Sequence, residues 1–336
     1  WVAANGVTHF HESQGICHIV LPERGYLRPG MFIVGADSHS TTAGAFGCFM
    51  VGIGATEMVG VLATGEIWVR VPQTIVVRGL GRLSDGVAAK DIMLMLCREI
   101  GISGANYKVV EYTGPAVEAL SIQERMVLTN MAAELGAKTG IIAPDAVTSA
   151  ALAQSGVEVQ DAQTWRGDDN ASYEQVMEFN AAELLPQVAA PYSPENSAPV
   201  DEHAGMAVNQ AYIGACTGAK LEDLRMAARV LRGRKIASGV RLFVAPASVR
   251  MAEQAKAEGV LGVLEAAGAK VLPSSCGACI GLGPAGLKEQ EVGISTTARN
   301  FHGRMGARTS QAYLASPYTV AASAITGRIT DPREFL

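Results

Sequence analysis

A chain of 336 residues, 49% hydrophobic and 18% charged, carries enough apolar side chains for a large core and two or three domains. Its net charge of −5 excludes a general nucleic-acid-binding surface, and no apolar run is long enough to span a membrane. Six cysteines without a secretory signal exclude a disulfide scaffold and point to a reducing, cytoplasmic compartment.

The chain opens on "WVAANGVTHF", which reads as the interior of a domain, so a preceding segment is expected to be missing. "QGICHIVLPE" then places His18 just before an apolar run expected to be a strand. "MFIVGA" (31–36) is a predicted strand leading into the loop "GADSHSTTAG", which presents Asp37, Ser38 and His39 together. A strand at 73–79 precedes a helix over 89–101, and a strand at 107–114 precedes a helix opened by a Ser121/Glu124 capping box. In "LTNMAAELGAKTG", Asn130 and Glu134 stand one helical turn apart on one face, and the apolar neighbours of Glu134 imply burial with a partner. "GIIAPD" and "AVTSAALAQ" repeat the strand–helix alternation, after which the Pro- and Ser-rich stretch 187–205 reads as the main linker. "AYIGAC", "RLFVAPAS", "KVLPSS" and "GISTTA" follow as strands between helices such as "KLEDLRMAARVLRG". The pattern is α/β, with several βα domains built on parallel or mixed sheets, and ligands in such sheets bind in loops after strand carboxyl ends.

Four such loops carry chemistry: "GADSH", "GACTG", "SSCGAC" and "TTARNF". Cys276 and Cys279 form a Cys-x-x-Cys pair, and Cys216 stands alone upstream. Spacing by itself leaves three readings open. One is zinc with His203 or His302 as the fourth ligand, and another is a redox dithiol. The third is an iron–sulfur cluster held by three thiolates, whose remaining iron is an open Lewis acid. Cys48 and Cys97 read as buried inert thiols, and Cys17, beside His18, as a residue that lines a site. Arg299 and Arg304 in "TTARNFHGRMG" suit bidentate binding of carboxylates, and His302 between them reads as a loop residue.

Taken together, "GADSHSTTAGAFG", "TNMAAELGA", "IGACTGAKLEDLR", "CGACIGLGP" and "TTARNFHGRMG" resemble, in content and order, the aconitase superfamily, in particular its isopropylmalate dehydratase branch. The resemblance runs from about His18 to the C-terminus. It implies an aconitase-like fold around a central cluster site: residues 1–72 as the remainder of a first domain, 73–190 as a second and 191–336 as a third. It implies a [4Fe-4S] cluster on Cys216, Cys276 and Cys279, His18 paired with Asp37, and His39 paired with Glu134. It also implies Ser38, Asn130, Arg299 and Arg304 as substrate-binding residues. The activity implied is that of a hydro-lyase large subunit acting on a hydroxy diacid, completed by a small subunit that carries the swivelling domain with its serine base and further arginines. Homoaconitate, maleate, citraconate and 2,3-dimethylmalate hydratases share this pattern. An RNA-binding iron sensor and a zinc-stabilised non-catalytic subunit are the alternatives from other classes. Two departures stand out: Gly218 where the family commonly has Asn after Cys-Thr, and Ala298 where it commonly has Asn before the first arginine.

Overall fold

The computed structural model describes residues 2–336. Strands β1 (Phe32–Gly35) and β2 (Phe49–Gly52) form a parallel pair. Strands β3 (Thr74–Leu80), β4 (Val109–Thr113), β5 (Thr139–Ile141) and β6 (Gln175–Asn180) form a parallel sheet in the order β5-β4-β3-β6. A third, mixed sheet begins with β7 (Gln187–Ala189), β8 (Ser197–Pro199), β9 (Gln210–Ile213) and β10 (Arg241–Val244). It is completed by β11 (Ala269–Val271), β12 (Val292–Ser295) and β13 (Gln311–Ala315). Its order is β11-β10-β9-β12-β13-β7-β8, parallel from β11 to β13 and antiparallel at β7 and β8. The expected α/β class is present.

Helix periodicity sets the packing. In helix Leu221–Leu231, Leu221, Leu224, Ala228 and Leu231 recur at i, i+3, i+7 and i+10. That stripe packs with Ile213, Leu242, Val244 and Ile294 of the large sheet. Helices Ala89–Ile100 and Ile122–Met131 close the smaller sheet in the same way, burying Ile92, Leu96, Leu128 and Met131 with Ile75, Val77 and Val110.

Three local expectations are corrected. "CHIVLPE" is a helix, Cys17–Glu23, and not a strand approach. A four-residue apolar run satisfies either period, and here Ile16, Ile19 and Val20 are buried at i, i+3 and i+4. The stretch 187–205 is not a linker, because its first half is the β7–β8 hairpin at the sheet edge. Pro199 is tolerated there because an edge strand need not donate on both sides. The Gln187 N–H donates to the buried Asp91 carboxylate at 2.8 Å, tying the hairpin to helix Ala89–Ile100. At Ser121 only half of the capping box forms: its Oγ accepts from Glu124 N at 3.3 Å, while the Glu124 carboxylate accepts from Ala89 N at 3.4 Å.

The loop after β1 winds into a 3-10 helix, Ser38–Phe46, laid against β5. A Cβ added at Gly44 would overlap the carbonyl oxygen of Gly140. Gly44→Ala therefore costs about 3 kcal/mol, the upper part of the overpacking range, read as a lowered urea midpoint at unchanged slope.

Candidate functional site

In the large sheet, β11, β9 and β12 run parallel, so the loops that follow them leave the same edge. Cys216 follows β9, Cys276 and Cys279 follow β11, and 296–304 follow β12. Cys276 caps a 3-10 turn, Gly277–Ile280, and the Cys279 N–H donates to its carbonyl at 3.0 Å. With three residues per turn, positions 276 and 279 eclipse and both thiols face one side. Ala215, immediately before Cys216, holds a left-handed φ of 67°, a sparsely populated conformation for a residue with a Cβ.

The donor set distinguishes among metals. Among the described residues, only His18, Asp37 and His39 have ligand atoms all within 4.8 Å of one another. Tetrahedral thiolate ligands of one zinc lie about 3.8 Å apart. The three cysteine sulfurs are spread wider than a single ion requires. Neither expected fourth zinc ligand joins them: the His203 ring lies 5.9 Å from that of Tyr313, and His302 stacks on Tyr192 at 3.6 Å. A spread set of three soft donors suits a polynuclear iron–sulfur group. Two buried polar atoms beside these cysteines, Asn130 Oδ1 and Arg304 Nε, have no hydrogen-bond partner among the described residues. In the chain by itself burial pushes the Cys216 thiol to about 12 and the Cys276 thiol to about 11, and raises Cys279 as well. A bound cation must displace those protons, so metal loading falls as the medium is acidified.

Against this face stand the histidine–carboxylate pairs. The His18 Nε2 and Asp37 Oδ1 are 2.8 Å apart, and the same oxygen accepts from the His39 backbone N at 2.8 Å, capping the 3-10 helix. The His39 Nε2 is 2.9 Å from Glu134 Oε1, and Arg299 Nε donates to both Glu134 oxygens at 2.9 and 3.1 Å. Arg299 Nη2 also donates to Ser38 Oγ at 3.0 Å. The Asn130 Nδ2 donates to Cys216 Sγ at 3.1 Å and to Thr42 Oγ1 at 2.8 Å. The Arg304 guanidinium lies close enough to the Cys279 sulfur to favour its thiolate form. His18, Asp37, Ser38, His39, Glu134, Arg299, Asn130 and Cys216 thus fall in one hydrogen-bonded network, joined through Thr42, whose Oγ1 donates to His39 O at 2.6 Å. Cys17 is exposed, with its Sγ 3.6 Å from His18 Nδ1, while Cys48 and Cys97 are fully buried.

Burial opposes a charge on His18, but the hydrogen bonds its ring makes to Asp37 and Cys17 outweigh it and raise its pKa to about 9. The His18 and His39 bonds hold the Asp37 carboxyl well below the usual range. Burial likewise opposes ionisation of Glu134, yet His39 and Arg299 together lower its pKa. At neutral pH the site therefore holds an imidazolium at His18 and carboxylates at Asp37 and Glu134.

The two departures have a steric basis. A Cβ at Gly218 would overlap the Cβ and Oγ1 of Thr296, whose hydroxyl accepts from Gly214 N at 2.9 Å. Ala298 is 1% exposed, its methyl inside the second core. No amide side chain fits at 218 without moving the β12 loop. Gly218→Asn should lower stability by about 2–3 kcal/mol and weaken metal retention together, checked by urea unfolding and iron analysis. Sequence reasoning missed Thr296, Thr217 and Lys90. The signal for Lys90 was present: it shares a helical face with Met93, Leu94 and Cys97, where a cation has no solvent.

The family model described as "Aconitase family (aconitate hydratase)" matches residues 1–327. A 3-isopropylmalate dehydratase large subunit 1 of Methanopyrus kandleri is 47% identical over 338 residues, covering 100% of this chain and 80% of that protein. A 3-isopropylmalate dehydratase large subunit of Oleidesulfovibrio alaskensis is 43% identical over 99% of this chain and 79% of its own length. A probable methanogen homoaconitase large subunit of Methanosarcina mazei is 45% identical, covering 99% of this chain and 84% of its own. Three thiols on two loops, two histidine–carboxylate pairs and this end-to-end similarity agree: the chain belongs to the aconitase family and is a hydro-lyase.

Proposed function

We propose that the chain is the large, cluster-binding subunit of a [4Fe-4S] hydro-lyase that dehydrates and rehydrates 3-isopropylmalate, working in the cytoplasm with a separate small subunit. The observation that carries this is Asn130, whose amide donates to Cys216 at 3.1 Å from the same turn that offers Glu134 to His39. Cysteine centre and proton-transfer groups are thus one site. Cys216, Cys276 and Cys279 would hold such a cluster, which would supply Lewis-acid chemistry toward a substrate hydroxyl.

The chain's own residues do the rest. His18, charged at neutral pH and aimed by Asp37, delivers a proton to the departing hydroxide. Glu134 fixes the ring of His39 and the fork of Arg299 in one geometry. Arg299 uses Nε on Glu134 and Nη2 on Ser38, which leaves Nη1 for a substrate carboxylate. Arg304, with Nε unpartnered, is the second cation for the charge that builds up as the α-proton leaves. The small subunit, whose existence the relatives' "large subunit" names support, supplies the serine base and further arginines.

The reading is tested by anaerobic loading of the chain with iron and sulfide, purification with the small subunit, and a panel of hydroxy diacids. About four irons per chain and fastest turnover of 3-isopropylmalate are expected. Stoichiometric zinc in a colourless protein would sink the cluster. Preference for a homoaconitate-type substrate, as the 45% identity to the Methanosarcina protein allows, would move the substrate and keep the reaction.

A further inference from the structure

Strands β3 and β4 are parallel neighbours, so the segments that follow them leave the same edge of the smaller sheet. Ligands of open α/β sheets bind at such carboxyl ends. There the two segments meet helices Leu221–Leu231 and Pro317–Thr326 of the large-sheet unit, and a cleft of about 310 Å³ lies between them. Leu83, Leu120 and Met226 give the cleft an apolar wall, and Arg82 and Glu124 also line it. An apolar wall with a few convergent polar groups is the usual make-up of a small-molecule pocket. None of the residues lining it belongs to the thiolate site.

The charges around this cleft do not all find partners. Asp85 is gripped by both Arg229 Nη atoms at 2.5 and 2.6 Å, Glu222 pairs with Arg225 at 3.0 Å, and Asp223 pairs with Lys220 at 2.6 Å. Glu124 is the carboxylate left over: no cation pairs with it among the described residues, and its Oε1 accepts from Ala89 N at a long 3.4 Å. Burial, reinforced by the charges of Asp223 and Glu222, pushes its pKa up to about 7. A cation brought from outside would relieve that cost. Arg82 is the cation left over, exposed and without a carboxylate or carbonyl on its guanidinium among the described residues.

A ligand that is only an acid would leave Glu124 unpaired, and one that is only an amine would leave Arg82 unpaired. A zwitterion with an alkyl group answers both charges and the apolar wall together. We propose that this cleft is a second ligand site, which takes a free α-amino acid with a small apolar side chain: its ammonium on Glu124, its carboxylate on the fork of Arg82, and its alkyl group against Leu120 and Met226. Bidentate guanidinium–carboxylate pairing gives the carboxylate end its geometry. The proposal needs neither the cluster nor the small subunit.

The test is titration calorimetry of the full chain at pH 8 with three probes: L-norvaline, pentanoate, which lacks its amine, and butylamine, which lacks its carboxylate. Norvaline should bind once per chain and about tenfold or more tighter than either analogue. Arg82→Gln should weaken norvaline about tenfold and leave butylamine within about twofold. Glu124→Gln should weaken norvaline by a similar factor and leave pentanoate within about twofold. Glu124 as a mere cap on helix Ala89–Ile100 predicts that its substitution lowers stability while no amino acid binds. That outcome overturns the proposal, as does norvaline binding that neither variant weakens, or analogues that bind as tightly as norvaline. Arg82 is exposed, so Arg82→Gln decides the site by itself if Glu124→Gln does not fold.

Discussion

Cys279→Ser should leave the chain folded while it loses its iron and its turnover together. Cys279 is 6% exposed, and the groups that favour its charge are the Arg304 guanidinium and the Lys90 ammonium. A serine hydroxyl is a close and slightly smaller replacement that is itself polar, so the unfolding free energy should move by no more than about 1 kcal/mol. An alcohol, however, neither ionises nor binds iron as a thiolate does. Loss of a Lewis acid worth several kcal/mol corresponds to a fall in kcat of about 10³-fold or more. Cys48→Ser and Cys97→Ser, altering thiols that are fully buried and outside the site network, should retain full iron. Iron analysis and turnover on the same preparations decide it: a Cys279→Ser protein that keeps its iron would remove this residue from the ligand set.

The cysteines were legible in the sequence because each lies a few residues beyond a strand, and strand ends in parallel sheets are where such proteins build sites. The partnership of His39 with Glu134 was not legible from spacing, since 95 residues separate them and nothing local links a loop to a distant helix end. Only the order of several motifs proposed it. The misread pieces share one cause. "HIVL" is too short for its period to show, and its fate was set by the surface that Ile16, Ile19 and Val20 meet. The Pro- and Ser-rich stretch at 187–205 has linker composition, but the neighbouring β13 and the Asp91 carboxylate supply the hydrogen-bond partners that make it a hairpin. Gly218 stands out in the sequence only as a departure, and packing gives its reason, with Thr296 filling the space an amide would need. In each case a tertiary partner outweighs local pattern, as expected where the local preference is worth only tenths of a kcal/mol.

Asp37→Asn should slow turnover about 10²-fold at pH 7 and move the alkaline limb of the pH–rate profile to lower pH. Burial works against a charged His18, and it is chiefly the bond to Asp37, with Cys17 as a second support, that carries its pKa from 6.5 up to about 9. Because the folded value is raised, the pair's contribution to stability is complete below about pH 6.5 and is lost as pH rises through about 9. The protonated, proton-donating form follows the same curve, so wild-type turnover should fall through about pH 9. With the carboxylate replaced by an amide, burial is opposed only by the Cys17 sulfur at 3.6 Å, and the ring becomes neutral near pH 7. The variant should then regain activity as the medium is acidified, the direction in which wild type gains nothing. Unfolding should show the matching change, with the stability difference between wild type and variant largest in mildly acid buffer and vanishing in alkaline. A variant whose rate still falls only through about pH 9 would show that His18 takes its charge from some other partner.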